Sequence, residues 1–224
     1  MLEPAFDIYP AQVQMAGGTA VYVPLRPPAS ATEQWKLNME ELEAAITPRT
    51  KLLLLNTPHN PTGKVLTEAE LTTIAEIMRR HPHVTIITDE VYEHLVYYGR
   101  KHTRFASLPG MFDRTITVSS AGKTFSVTGW KIGWTIGPKH LINPIMLANQ
   151  WVQFSVSTPC QRAITHMIEF AAQPYLEYDS YYSYLQDTYQ KKFDFLINMV
   201  KEAGLKPLVT EVRIAFACEI YYDA

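Results

Sequence analysis

The chain has 224 residues, of which 47% are hydrophobic and 19% charged, a composition that supports a packed core and argues against a disordered segment. Twenty basic side chains nearly balance 22 acidic ones, for a net charge of −2, so no global field gathers nucleic acid or anionic lipid. The longest apolar runs, such as Leu52 to Leu55, are far too short to span a bilayer, and Cys160 and Cys218 make no disulfide framework or Cys-x-x-Cys pair.

Met1 to Asp7 has neither the basic start nor the apolar stretch of a signal peptide, and a reducing, cytoplasmic site is the expectation. Ile8 to Ala16 reads as a helix closed by Gly17-Gly18. Thr19 to Leu25 is rich in β-branched and aromatic residues and reads as a strand, followed by a Pro- and Ala-rich connector, Pro27 to Thr32. Asn38 can cap a helix from Met39 to Ile46, with Glu40 and Glu41 near its positive end and Pro48 beyond it. Lys51 to Leu55 is a continuous apolar run, as expected of a strand covered on both faces.

Thr67 and Glu70 form a capping-box pattern for a helix running to about Arg80. Leu71, Ile74, Ala75 and Met78 recur on one face of it, and Pro82 ends it. Val84 to Thr88 and Thr115 to Val118 are the next buried strands, and Trp130 to Ile136 again has strand character. From Pro138 to Ala172 the pattern is helical, with Pro144 and Pro159 expected to break or restart it. A second long helix is expected from Tyr178 to Glu202, stopping at Gly204. Its stripe of Tyr178, Tyr181, Tyr182, Leu185, Tyr189, Phe193 and Leu196 suits packing.

Alternating short apolar strands and helices predict an α/β fold with a mostly parallel sheet flanked by helices. Ligands of such sheets gather at the carboxyl ends of the strands. Three strands there run into chemistry-bearing residues: Asn56-Thr57-Pro58-His59-Asn60-Pro61-Thr62-Gly63, Asp89-Glu90-Val91-Tyr92, and Ser119-Ser120-Ala121-Gly122-Lys123-Thr124. Each piece has a plainer reading. The Asn-Pro-Thr-Gly stretch can be a turn, Asp89 a cap or surface charge, and Tyr92 a half-buried ring. Lys123 can be a phosphate-loop lysine, but that pattern needs glycine at position 117, where Thr117 stands. His81 and His83 flank Pro82 with no third ligand in sight, and turn geometry accounts for His59.

Taken together, the segments 56–64, 89–95 and 120–134 resemble the fold-type I, class I/II pyridoxal-phosphate-dependent aminotransferases. Within them the chain is most similar to the kynurenine aminotransferase, glutamine transaminase K and cysteine-S-conjugate β-lyase group. The resemblance covers about Glu3 to Pro207. It implies pyridoxal 5′-phosphate as cofactor and Lys123 as the amine that forms a Schiff base with it and then carries the proton. By the same resemblance Asp89 faces the ring nitrogen, Asn60 and Tyr92 hold the phenolic oxygen, and Ser120 and Lys131 hold the phosphate. Lys131 stands where many relatives carry arginine, which favours the kynurenine aminotransferase subgroup.

The resemblance further implies amino acid and 2-oxo acid substrates and a homodimer. The expected reaction moves an amino group from an aromatic or sulfur-containing amino acid, of kynurenine or glutamine type, to a 2-oxo acid. The alternatives are cysteine-S-conjugate β-lysis, or a catalytically silent form that pairs with a full-length subunit. Relatives begin before the segment matching Met1 to Pro4 and diverge from Glu211-Val212-Arg213-Ile214 onward, so the chain is expected to be a fragment. Residues 1–172 are then a large cofactor-binding domain lacking its front, and 173–224 the start of an incomplete small domain. A targeting segment lost with the front would make the site mitochondrial. Exposed apolar surface and poor solubility, or association with a partner, follow as expectations.

Overall fold

A computed structural model describes residues 1–29, 33–207 and 220–221. The tail at Glu211 to Ile214 and the end of the Pro27 to Thr32 connector lie outside the described residues. In chain order the first elements are β1 (Leu2–Glu3), α1 (Ile8–Met15), β2 (Val23–Arg26), β3 (Lys36–Leu37) and α2 (Met39–Ala44). β2 pairs in parallel with β1 and antiparallel with β3, a small sheet of its own. The strand predicted from Thr19 is therefore shorter and starts at Val23, where pairing with Leu2 begins. Asn38 caps α2 by accepting the N–H groups of Glu40 and Glu41.

The main sheet holds β4 (Leu52–Asn56), β5 (Thr85–Asp89), β6 (Thr115–Ser120) and β7 (Gly133–Ile136), in that spatial order. β4, β5 and β6 are parallel, and β7 returns antiparallel beside β6. The expected strand from Trp130 is cut short at its front. Thr128 to Trp130 is a 3-10 turn ending at Lys131 in the left-handed region (φ 55°), so extended backbone resumes only afterwards. Gly137 must be glycine for β7 to leave the sheet so closely: a Cβ there would sit 2.8 Å from the Thr115 carbonyl oxygen.

α3 (Glu68–Arg80) connects β4 to β5 and has the capping box that the sequence predicts. Its buried face is Leu71, Ile74, Ala75 and Met78, with Ile77 added, and it packs with Leu53, Leu55 and Ile86 of the sheet in one apolar core. Two devices lock its far end. The Arg80 guanidinium forks onto both carboxylate oxygens of Glu43, each at 2.7 Å, and Arg114 donates to the carbonyls of Met78 and His81, each at 2.6 Å.

The expected helical stretch after Pro138 is two helices, α5 (Lys139–Val152) and α6 (Thr158–Ala171). Pro159 opens α6 in its first turn, where its missing N–H costs nothing. Pro144 does not break α5. It lies just past the first turn, where a single lost backbone bond is tolerated. α7 (Tyr181–Glu202) starts three residues later than expected, with the Ser180 hydroxyl accepting the N–H of Ser183. Its buried Leu185, Phe193 and Ile197 pack on Tyr92, Leu95, Val65, Val96 and Tyr97, so the stripe is a packing face. Backbone pairing of β8 (Lys206–Pro207) with β9 (Ile220–Tyr221) completes the described chain.

Candidate active site

The three predicted strand ends converge because their strands are adjacent and in register. Asn56 pairs with Asp89, and Asp89 with Val118, so β4 and β5 end level with each other and β6 runs on to Ser120 along the same edge. Asn56 ties the edge together. Its buried side chain accepts the Asn60 N–H at 2.7 Å and donates to the Asp89 carbonyl at 3.0 Å. The loop that carries Asn60 is braced from beneath. Thr57 accepts the Leu66 N–H at 3.1 Å, the His59 ring meets the Thr62 hydroxyl at 2.8 Å, and buried Lys64 pairs with Glu70 at 2.7 Å. Burial pushes the His59 imidazole down to about 4, with Lys64 adding to the effect, so the ring is neutral and serves the turn.

Asp89 closes β5 with both carboxylate oxygens engaged. Tyr9 of α1 donates its hydroxyl to Oδ2 at 2.6 Å, and the Val91 N–H donates to Oδ1 at 3.2 Å. Burial pushes the carboxyl upward, these two donors pull it back toward the ionised form, and neighbouring Glu90 opposes them. Tyr92 follows one turn later and is buried, its phenol pushed up to about 12 first by burial and then by Asp89. It is therefore a hydrogen-bond donor at neutral pH.

Lys123 sits on α4, a single turn spanning Ala121–Thr124 that leaves the end of β6. Its Nζ lies 5.7 Å from the centre of the Tyr92 ring. The turn is fixed from two sides: the Thr128 hydroxyl donates to the Gly122 carbonyl at 3.0 Å, and the Tyr181 hydroxyl of α7 donates to the Thr124 carbonyl at 2.9 Å. Gly122 has little room, since a Cβ there would lie 3.1 Å from the Thr128 Cα. Ser120 is the residue before this turn, and its hydroxyl does not cap it. The Ala121 N–H bonds the Ile132 carbonyl at 3.1 Å, which brings the loop of Lys131 alongside the same corner; Lys131 itself is exposed.

Asp89, Tyr92 and Lys123 are thus brought together directly, Asn60 is joined to them through Asn56, and Ser120 and Lys131 flank the corner at the foot of Lys123. An amine, a carboxylate held by two donors, a phenol and an amide on one edge, with a hydroxyl and a cation beside it, form a donor set that fits pyridoxal phosphate. Sequence reasoning missed Tyr9, which is 80 positions from Asp89 and carries no local signal. It also missed the polar cluster behind the edge. Buried Glu90 meets His102 at 2.7 Å and the Phe105 N–H at 3.3 Å, while Glu93 takes Arg104 and the Ser119 hydroxyl. Away from the edge, His81 faces Glu43 at 3.6 Å and His83 meets the Thr47 carbonyl at 3.1 Å.

Comparison with known proteins now decides the lineage. The aminotransferase class I and II family matches residues 1–217. The chain belongs to the class I and II aminotransferases. Among curated members it is 46% identical over 222 residues to a kynurenine–oxoglutarate transaminase of Dictyostelium discoideum, covering 94% of this chain and 50% of the relative. It is 40% identical to human kynurenine–oxoglutarate transaminase 1, covering 94% of this chain and 51% of the relative. Among solved structures, N-succinyldiaminopimelate aminotransferase from Mycobacterium tuberculosis superposes with a TM-score of 0.84 at 39% identity, over 92% of this chain and 51% of that one. YbdL from Escherichia coli, described with a methionine aminotransferase function, gives 0.84 at 32% identity, over 94% and 52%. This aminotransferase chain spans about half the length of the curated relatives it matches.

Proposed function

We propose that this chain carries the lysine-bearing core of a pyridoxal-phosphate-dependent aminotransferase. In this reading it moves an amino group from an aromatic or sulfur-containing amino acid, of kynurenine or glutamine type, to a 2-oxo acid. The reading rests on one observation above all: the Lys123 amine stands over the Tyr92 ring, at the strand end next to Asp89. The kynurenine-type donor is supported by the curated relatives, which are named kynurenine–oxoglutarate transaminases.

When bound, the cofactor supplies an aldehyde that condenses with amines and a ring that takes up electrons released at the substrate carbon. The chain's own residues then have separate duties. Lys123 would be the amine that binds the cofactor and, once freed, the group that carries a proton. Asp89, in its ionised form, would favour a positive charge on the ring nitrogen. Tyr92 and Asn60 would donate to the phenolic oxygen, and Ser120 and Lys131 would hold the phosphate as a hydroxyl donor and a countercharge.

The test is to incubate the chain with pyridoxal phosphate, reduce with borohydride and map the peptides by mass. The expected result is an adduct on Lys123, with conversion of the bound cofactor to its amine form when kynurenine is added. Absence of an adduct, or label spread over other lysines, overturns the reading. Release of pyruvate from a cysteine S-conjugate in the same assay would mark β-lysis. The exposed Trp151, Val152 and Phe154 favour a second reading, in which the chain works by joining another subunit of its family, as in a dimer. Adduct formation without turnover, restored on mixing with a full-length relative, is its signature.

A further inference from the structure

α1 buries one side chain only, Tyr9, and that side chain is bonded to Asp89. The helix therefore meets the strand edge chiefly through a phenol, not through an apolar stripe. Phe6 packs edge-on against the Tyr9 ring with centroids 5.6 Å apart, which holds the phenol from the solvent side. At the other end of the bond, the Tyr9 hydroxyl takes Oδ2 while the Val91 N–H takes Oδ1, so the carboxylate plane has two directional anchors.

From this arrangement we infer that Tyr9 is a positioning residue for Asp89, one that keeps the carboxylate ionised and aimed across the strand edge. The inference rests on the proposed role of Asp89 opposite the cofactor's ring nitrogen. Its physical basis is that a donor to the charged form of a carboxyl group favours that form; the Tyr9 hydroxyl and the Val91 N–H both do so, against burial and Glu90. Burial disfavours the charged form, and the neighbouring Glu90 carboxylate and Tyr92 phenol bring Asp89 no positive charge. Tyr9 is itself held protonated by burial and by Asp89, so it is a donor throughout the neutral range and never a competing anion. Without it, the buried carboxyl would keep the Val91 N–H alone and would drift toward the neutral acid, which cannot hold a proton on the ring.

The experiment uses the whole chain and two readouts. In the first, the Asp89 carboxyl carbon is titrated by NMR without cofactor. Tyr9→Phe, which removes the hydroxyl and leaves the ring, is expected to raise the Asp89 pKa by about one unit. Phe6→Leu, which disturbs the packing and spares the bond, should leave it in place. In the second, pyridoxal phosphate labelled with nitrogen-15 reports protonation of its ring nitrogen. Tyr9→Phe is expected to lower the pH at which that proton is lost and to weaken cofactor retention by about tenfold. If Tyr9→Phe fails to fold, 3-fluorotyrosine at position 9 strengthens the donor and should shift the Asp89 pKa downward. An Asp89 titration unmoved by either change overturns the inference. A wild-type chain that takes up no cofactor defeats the proposed function instead, and the carboxyl titration then decides the role of Tyr9 by itself.

Discussion

The carboxyl edge of the main sheet and the α5–α6 layer both carry apolar sequence, yet they end in opposite states. Beneath the edge, Leu55, Leu71, Ile74, Met78 and Ile86 are fully buried, and above them Asp89 is reached from Asn56, 33 residues away, and from Tyr9, 80 residues away. In α5 no residue is buried, and Trp151, Val152 and Phe154 are each more than four-fifths exposed, at 84%, 82% and 84%. α6 buries only Ile164 and Ala171 and leaves Phe170 exposed. The difference teaches that the chemistry-bearing edge draws its rigidity from contacts within the described residues. The second layer carries an amphipathic pattern whose apolar side those residues do not cover.

If the edge supports itself in this way, removing its foundation should produce the largest loss of stability. Leu55 is completely buried and immediately precedes Asn56, the residue that binds the Asn60 loop to Asp89. Leu55→Ala is expected to cost about 2–5 kcal/mol, the usual range for emptying a leucine site in a core. The shift in the urea midpoint of unfolding checks it. A loss below about 1 kcal/mol would mean that the site relaxes freely, and the contrast between the two regions would fail.

Burial also gives the edge a pH dependence. His59 is held neutral, its pKa depressed to about 4 from an unfolded value of 6.5. Between those values the unfolded chain binds a proton that the folded chain refuses. Stability is therefore full above pH 6.5 and falls as the pH drops toward 4, by roughly 3 kcal/mol at the end of that window. His59→Gln should flatten this part of the profile, read as the difference in unfolding free energy between pH 7 and pH 5. An unchanged slope would show that His59 is protonated in the folded chain.

The same contrast explains what could be read in the sequence. The strands β4, β5 and β6, the Asn38 cap and the Thr67–Glu70 box are local patterns, and each is where the sequence places it. So is the approach of Asp89, Tyr92 and Lys123, because parallel strands in register bring their ends together. The bond from Tyr9 to Asp89 had no such signal, since a tyrosine on a short helix looks the same whether its hydroxyl meets water or a carboxylate 80 residues away. The persistence of α5 through Pro144 was equally hidden, because whether a proline breaks a helix depends on which carbonyl it leaves unpaired. The late start of β7 came from the left-handed turn at Lys131, a backbone choice that a lysine does not announce.

The smallest effect is expected at the outer layer, and it separates exposure from instability. Trp151 lies exposed in the last turn of α5, and Phe154 follows the helix with φ at 66°, in the left-handed region that asparagine tolerates better than an aromatic residue. Trp151→Gln combined with Phe154→Asn removes two exposed aromatic rings and breaks no hydrogen bond of the sheet edge. Unfolding free energy should change by no more than about 0.5 kcal/mol, with relief of backbone strain at 154 offsetting the lost helix-end contacts. Association should respond far more. Light scattering of the doubly substituted chain is expected to show less self-association than the wild type at equal concentration, because the apolar surface that drives it has gone. A large loss of stability with unchanged association would reverse the comparison: Trp151 and Phe154 would then be holding the layer together from within, and the chain's apolar excess would have to lie elsewhere, at Phe170, Phe195 or Met199.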